Sequence, residues 1–335
     1  MPWAPGGKGL IFASVPPDTV CPRTVHAMVL CAGLGTRLRP LTDERPKPLV
    51  PVNNQPLASH ALAALAAVGV RHVVANAFHL AHQIDPGLRP WTERHGMELT
   101  VLTESRLLGT GGGIRNALPY LAGDFVVFNG DVLAAPDLPR ALAVHRSTGA
   151  RVTMVLREDP RAGALGAIEV TEDHRVARIL DEGPRPAEPV RRCLFTGVYV
   201  VASSVADDLP AEGCVVRHTL RRLLARGERV SGVVDTGPWY DLGTVRSYAE
   251  AQFALLRGEI PLAGWTAPAG AVLVGQGAEL GPGVAVGREV CVGSGARIEG
   301  RGEVGQAIVW DGAAAVAPAT RVIVSRTARV PVPAG

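Results

Sequence analysis

From Val25 to about Leu256, short apolar runs of β character alternate with stretches whose apolar positions recur at helical spacing. Ala27–Cys31, His72–Asn76, Leu99–Leu102 and Phe125–Asn129 predict strands, and Leu57–Val68, Leu138–His145 and Val215–Arg226 predict helices. This alternation predicts an α/β fold built on an open sheet with mainly parallel strands. In such sheets ligands bind beyond the carboxyl ends of the strands, where glycine-rich loops lead into helices.

After a Pro/Gly-containing linker at 257–270 the texture changes. Val274, Leu280, Val286, Val292, Ile298 and Val304 recur every six residues, and glycine follows the aliphatic at 275, 281, 287, 293 and 305. A second series of small or aliphatic residues runs four positions behind, from Ala278 to Ile308. Continued, the frame places Trp310, Val316 and Val322 inward. A six-residue period is too short for helix-pair solenoids; it predicts a parallel β-helix over 271–330, with one aliphatic per side stacking into a continuous core. The expected division is an extension at 1–24, a catalytic unit at 25–256, the linker, and about three coils at 18 residues each.

At 335 residues the chain has room for two domains, and 47% hydrophobic with 19% charged residues suits a globular protein rather than a disordered one. A net charge of +3, without a Lys/Arg run, gives no reason to expect nucleic acid. No apolar stretch reaches the length of a membrane span, so no membrane association is expected. The apolar run from Gly9 to Val15 is broken by Pro16 and Pro17, and a signal peptide is not expected. Cys21, Cys31, Cys193, Cys214 and Cys291 are scattered, which predicts reduced thiols and a cytoplasmic setting. Lys8 and Lys47 are the only lysines beside a large excess of arginine, so a lysine in mid-chain asks for a specific reason.

The strongest local signal runs from Ala27 to Val52. A strand ends at Cys31 and opens through Ala32 into Gly33-x-Gly35-Thr36-Arg37, with Pro46-Lys47-Pro48 ten residues on. Glycines bend the backbone tightly and present N–H groups to phosphate oxygens. Arg37 can fork onto β and γ phosphates, while Lys47 offers a compact charge for the α-phosphate. A dinucleotide fingerprint would need glycine where Leu38 stands, and no Gly-Lys-Ser/Thr is present for a Walker loop.

This stretch resembles the signature of the nucleotide-sugar pyrophosphorylases, the sugar-1-phosphate nucleotidyltransferase family, and the likeness extends over 26–256. The resemblance implies a Rossmann-like domain with a mixed sheet, Mg²⁺ dependence, and an NTP and a sugar 1-phosphate as substrates. The C-terminal hexads resemble the left-handed β-helix that many members carry. Within Leu107–Ala117, the resemblance assigns Gly109, Gly111, Gly112 and Gly113 to base and ribose recognition. Asp131, just past the apolar strand Phe125–Asn129, suits Mg²⁺, which prefers carboxylate and phosphate oxygens. In Trp239-Tyr-Asp-Leu-Gly-Thr244 the family's second metal ligand corresponds to Asp241, unless that residue or Thr244 merely caps the helix beginning near Val245.

For the sugar, the resemblance points to Gly166, Glu182, Thr196 and Gly197. Where the family carries Glu-Lys-Pro, this chain reads Glu182-Gly183-Pro184-Arg185, and no lysine follows Lys47. Arg185 is the replacement that the linear sequence offers. Three Gly in the base loop are similar to guanylyl enzymes for mannose- or heptose-type phosphates, and also to uridylyl enzymes for N-acetylmuramate phosphate. The expected pair is GTP with mannose 1-phosphate. A hexapeptide acyltransferase would need a histidine in the repeats, and the last one is His218. A non-catalytic nucleotide-sugar-binding subunit is the other alternative; in either case the repeats suit assembly as a homo-oligomer or binding of an effector.

Overall fold

The computed structural model describes residues 25–182, 185–262 and 265–334. The extension expected at 1–24 and the glycine at position 183 lie outside them.

A nine-stranded sheet forms the first part. Val25–Leu30 lies at its centre, parallel to Val70–Ala77 on one side and Phe125–Asn129 on the other, with Glu98–Thr103 parallel beyond. Alternation along these strands divides two apolar layers. Ala27, Val29, Val126 and Phe128 face one core, while Met28, Phe125 and Val127 face the other. Burial on both faces explains why these strands read as continuous apolar runs.

The expectation of mainly parallel strands holds for only half the sheet. Arg191–Val201 runs antiparallel to Phe125–Asn129, to Val152–Glu158 and to Ile168–Val170. The sheet is therefore mixed. The predicted helices are found at Leu57–Ala67 and Leu138–Thr148, but Val215–Arg226 divides into a π-helical turn, Val216–Leu220, followed by Arg221–Ala225. Among the described residues no helix is long and apolar enough to cross a membrane.

The C-terminal part is a seven-stranded sheet of stacked segments. Val272 pairs with Val290, Glu279 with Arg297 and Gly283 with Arg301, all parallel and a constant 18 residues apart. The step then shortens: Val292 pairs with Val309, Ile298 with Ala315 and Val304 with Ala319. This slip corrects the six-residue frame. Ala315 takes the inward place, and Val316 is turned out with 59% of its surface exposed. Val292, Ile298 and Val304 are buried as expected, but Val274, Leu280 and Val286, on the outermost turn of the stack, are exposed.

A single apolar cluster joins this stack to the rest of the chain. It contains Leu41, Val50 and Val52 of the signature segment, Tyr248 and Phe253 of the helix Val245–Leu256, and Trp310. Inside it the Trp310 indole donates to the Tyr248 hydroxyl (3.0 Å), which donates to the Pro51 carbonyl (2.5 Å). Arg45 forks onto Asp311 at 3.0 and 2.6 Å, and Asn54 donates to the Val292 carbonyl at 2.8 Å. The C-terminal stack thus braces the segment that carries Lys47.

Candidate active site

The signature segment folds back on itself at Gly35, whose φ of +62° is left-handed. A Cβ there would also lie 2.8 Å from Thr42, whose hydroxyl donates to the Gly35 carbonyl at 2.9 Å. Ala32, Gly33, Gly35, Thr36, Arg37 and Lys47 all line one cavity of about 400 Å³ at the carboxyl ends of the central strands. Gly35 is sterically required. Gly33 is not, since a Cβ there would meet nothing within 4 Å.

Lys47 opens a short 3₁₀ turn, Lys47–Leu49, and its side chain is only 6% exposed. The ammonium donates to Asp131 Oδ2 at 3.0 Å and to Asp241 Oδ1 at 3.4 Å. Arg37 approaches the other Asp241 oxygen at 3.7 Å. Two aspartates far apart in the chain meet because Trp239–Asp241 pairs antiparallel with Val132–Ala134, setting Asp241 opposite Val132. Helix capping falls to Thr244, which exchanges hydrogen bonds with Ser247 in a capping box, so Asp241 is left to meet Lys47 and Arg37. Two carboxylates converging on one cation suit Mg²⁺, which keeps waters and takes phosphate oxygens for its remaining positions. No group of three or more metal-binding side chains exists among the described residues. Burial and the charge of Asp131 push the Cys31 thiol far up, which removes it as a nucleophile beside the cavity.

The glycine-rich loop forms the start of a helix, Gly109–Ala117. Gly109 (φ +72°) and Thr110 line the cavity. Gly111, Gly112 and Gly113 do not: they are buried, and a Cβ on them would strike Pro210, Ala211 and Asn76 respectively, each within 2.8 Å. In the structure these three glycines serve close packing of this helix rather than lining the cavity. Beneath the loop lies a network that sequence reading missed. Glu104, 5% exposed, accepts from Asn76 Nδ2 (2.7 Å) and from the Leu108 amide (3.0 Å), and Asn76 Oδ1 accepts from the Cys31 amide (2.9 Å). It ties both glycine loops together. The available signal was position, since Asn76, Glu104 and Asn129 are polar residues at the carboxyl ends of sheet strands.

The sugar-side candidates are less united. Gly166 lines a second cavity of about 250 Å³ with Phe195 and Trp239. Gly197 packs so closely on Asn129 that a Cβ would lie 2.7 Å from it. Thr196 is buried, its hydroxyl donating to Val155 at 2.7 Å and its carbonyl accepting from Trp239 at 2.8 Å, so it holds the wall rather than facing a ligand. Glu182 is turned to an ion pair with Arg221. Arg185 lines a different cavity with Glu169, Arg178 and Arg192.

Comparison with known proteins agrees with this geometry. Residues 26–258 match the family model described as nucleotidyl transferase. A mannose-1-phosphate guanylyltransferase of Mycobacterium tuberculosis is 35% identical over 86% of this chain and 80% of its own length. An N-acetylmuramate alpha-1-phosphate uridylyltransferase of Neisseria meningitidis is 34% identical, covering 68% of this chain and 97% of its own. The crystal structure of HddC from Yersinia pseudotuberculosis complexed with GMP-PN shares the fold at a TM-score of 0.55 and 22% identity, over 68% of this chain and 98% of that one. This chain belongs to the nucleotidyl transferase family, among the nucleotide-sugar pyrophosphorylases.

Proposed function

We propose that the protein transfers a nucleotidyl group from GTP to mannose 1-phosphate, giving GDP-mannose and pyrophosphate. The observation that carries the reading is Lys47, buried at the cavity floor and shared by Asp131 and Asp241. A phosphate monoester has a second pKa of about 6, so the nucleophile is already a dianion near neutral pH and needs no general base. One of its oxygens attacks the α-phosphorus in line. The bond from that phosphorus to the bridging oxygen breaks, and pyrophosphate leaves with inversion at phosphorus. The obstacle is bringing two polyanions together, so positioning and charge stabilisation supply the rate.

Arg37 and Lys47 stabilise charge on the departing pyrophosphate. Asp131 and Asp241 would hold Mg²⁺, which when bound screens charge on both substrates. Gly33, Gly35 and Thr36 cradle the triphosphate, and Gly109 with Thr110 meets the base and ribose. The C-terminal stack is read as a left-handed parallel β-helix of hexad origin, which the 18-residue register of its first turns supports. Exposed Val274, Leu280 and Val286 give it a physical motive for homo-oligomer assembly. Free Cys31, Cys193, Cys214 and Cys291 suit a cytoplasmic setting.

The Neisseria relative keeps uridylyl transfer to an amino-sugar or N-acetylmuramate phosphate as the second reading. Pyrophosphate release is to be measured for four NTPs against a panel of sugar 1-phosphates with Mg²⁺. GTP with mannose 1-phosphate is expected to be fastest. A UTP optimum selects the second reading, and no release with any pair leaves a non-catalytic nucleotide-sugar-binding subunit.

A further inference from the structure

A sugar phosphate brings a second dianion to the triphosphate, so it needs a cation of its own. Lys47 and Arg37 face Asp131 and Asp241 on the nucleotide side, and with no later lysine in the chain the role falls to an arginine. Trp239 connects the strand of Asp241 to the second cavity. Its strand carries Asp241 two residues on, its indole is fixed by the hydrogen bond to Thr196, and its ring walls the second cavity. Leu180, Ile168 and Phe195 form other walls, and among the described residues one cationic side chain, Arg217, lines the cavity.

Neighbouring arginines already have partners, including Arg161, whose guanidinium lies 5.9 Å from the centre of the Trp239 ring. Arg157 donates to the Gly237 carbonyl at 2.7 Å, and Arg161 forks onto Asp159 at 2.8 and 2.7 Å. Arg178 and Arg192 share Glu169, and Arg221 holds Glu182. Arg217 is exposed and has no ion pair or hydrogen bond among the described residues. It projects from the π-helical turn Val216–Leu220, a widened turn of the sort found at functional sites. Arg221 follows four positions later, on the same side of the helical segment. The pair Arg221–Glu182 therefore fixes this helix beside the segment that leads to Glu182.

We propose that Arg217 binds the phosphate of the sugar 1-phosphate, supplying from the Val216–Leu220 turn the charge that Arg185, in its separate cavity, does not. The inference rests on the nucleotidyl-transfer reading. The test uses steady-state kinetics of the full chain with the best substrate pair. Losing a charge-assisted contact in R217A should raise the KM for sugar 1-phosphate about ten- to a hundredfold. The KM for NTP should stay within about twofold, as should NTP affinity by calorimetry, which separates the effect from misfolding. R217K should fall between, because an ammonium keeps the charge but loses the fork. An active wild type whose sugar-phosphate KM is unchanged in R217A, or moved instead by R185A or R161A, overturns the inference alone. A wild type that releases no pyrophosphate with any pair overturns the reaction reading and this inference with it.

Discussion

The proposed nucleotide end and the proposed sugar end of the site are built differently. At the nucleotide end two glycine loops are tied by the Glu104–Asn76–Cys31 network, and a buried lysine is already fixed by two carboxylates. At the proposed sugar end apolar walls surround a cavity whose cation among the described residues, Arg217, is exposed and without an ion pair there. The difference teaches how each end can vary. A preorganised charge network holds its geometry only while every member stays satisfied, so substitutions there are costly. An apolar pocket with an exposed cation tolerates a change of residue and of supplying element.

The largest effect that sharpens this contrast is expected from Lys47→Ala. Loss of the cation on the departing pyrophosphate should lower kcat about 10²- to 10³-fold. A near wild-type kcat, measured at saturating substrates, would remove Lys47 from the chemistry and leave the nucleotide end without its centre.

Glu104→Gln comes next. The amide keeps the shape but leaves one neutral oxygen to accept, so its NH2 group faces either the Leu108 amide or Asn76 Nδ2, donor against donor. Hydrogen bonds to charged groups contribute about 1.5–3 kcal/mol, so the NTP KM should rise about tenfold or more. The sugar-phosphate KM should not follow. Equal movement of both constants would show that the two ends are one unit and would break the comparison.

The smallest effect belongs to Trp310→Phe. It removes the indole donor to Tyr248 but leaves the Tyr248–Pro51 bond in place. About 1 kcal/mol of stability should be lost in denaturant unfolding. A few-fold fall in kcat with unchanged sugar-phosphate KM is expected from the chain of contacts leading to the Lys47 segment. A rise in that KM instead would mean that the brace reaches the sugar end.

Much of the nucleotide end was legible because its parts are contiguous. Gly33 to Lys47 fall within fifteen positions, Asp131 follows an apolar strand directly, and local spacing carries such information. The Phe125–Asn129 strand was found to the residue, and the helix expected near Val245 begins there. Other features were hidden for equally physical reasons. The glycines at 111–113 look like ligand contacts, yet their meaning depends on Pro210, Ala211 and Asn76, brought against them from distant parts of the chain. Glu104 carries no motif of its own. Val316 fits the six-residue frame along the chain, but the ladder shortens its step there, and only pairing shows that.

The amino-acid sequence by itself determined the α/β unit, the stacked C-terminal segments and the loop that bears Arg37 and Lys47, because period and turn chemistry act over a few neighbouring residues. Tertiary structure alone decided that Asp131 and Asp241 meet at one ammonium, that Trp310 braces Pro51, and that Arg217 rather than Arg185 enters the cavity beside Trp239. Those outcomes depend on which strands pair and which helices pack, and long-range pairing leaves no periodic trace in the chain.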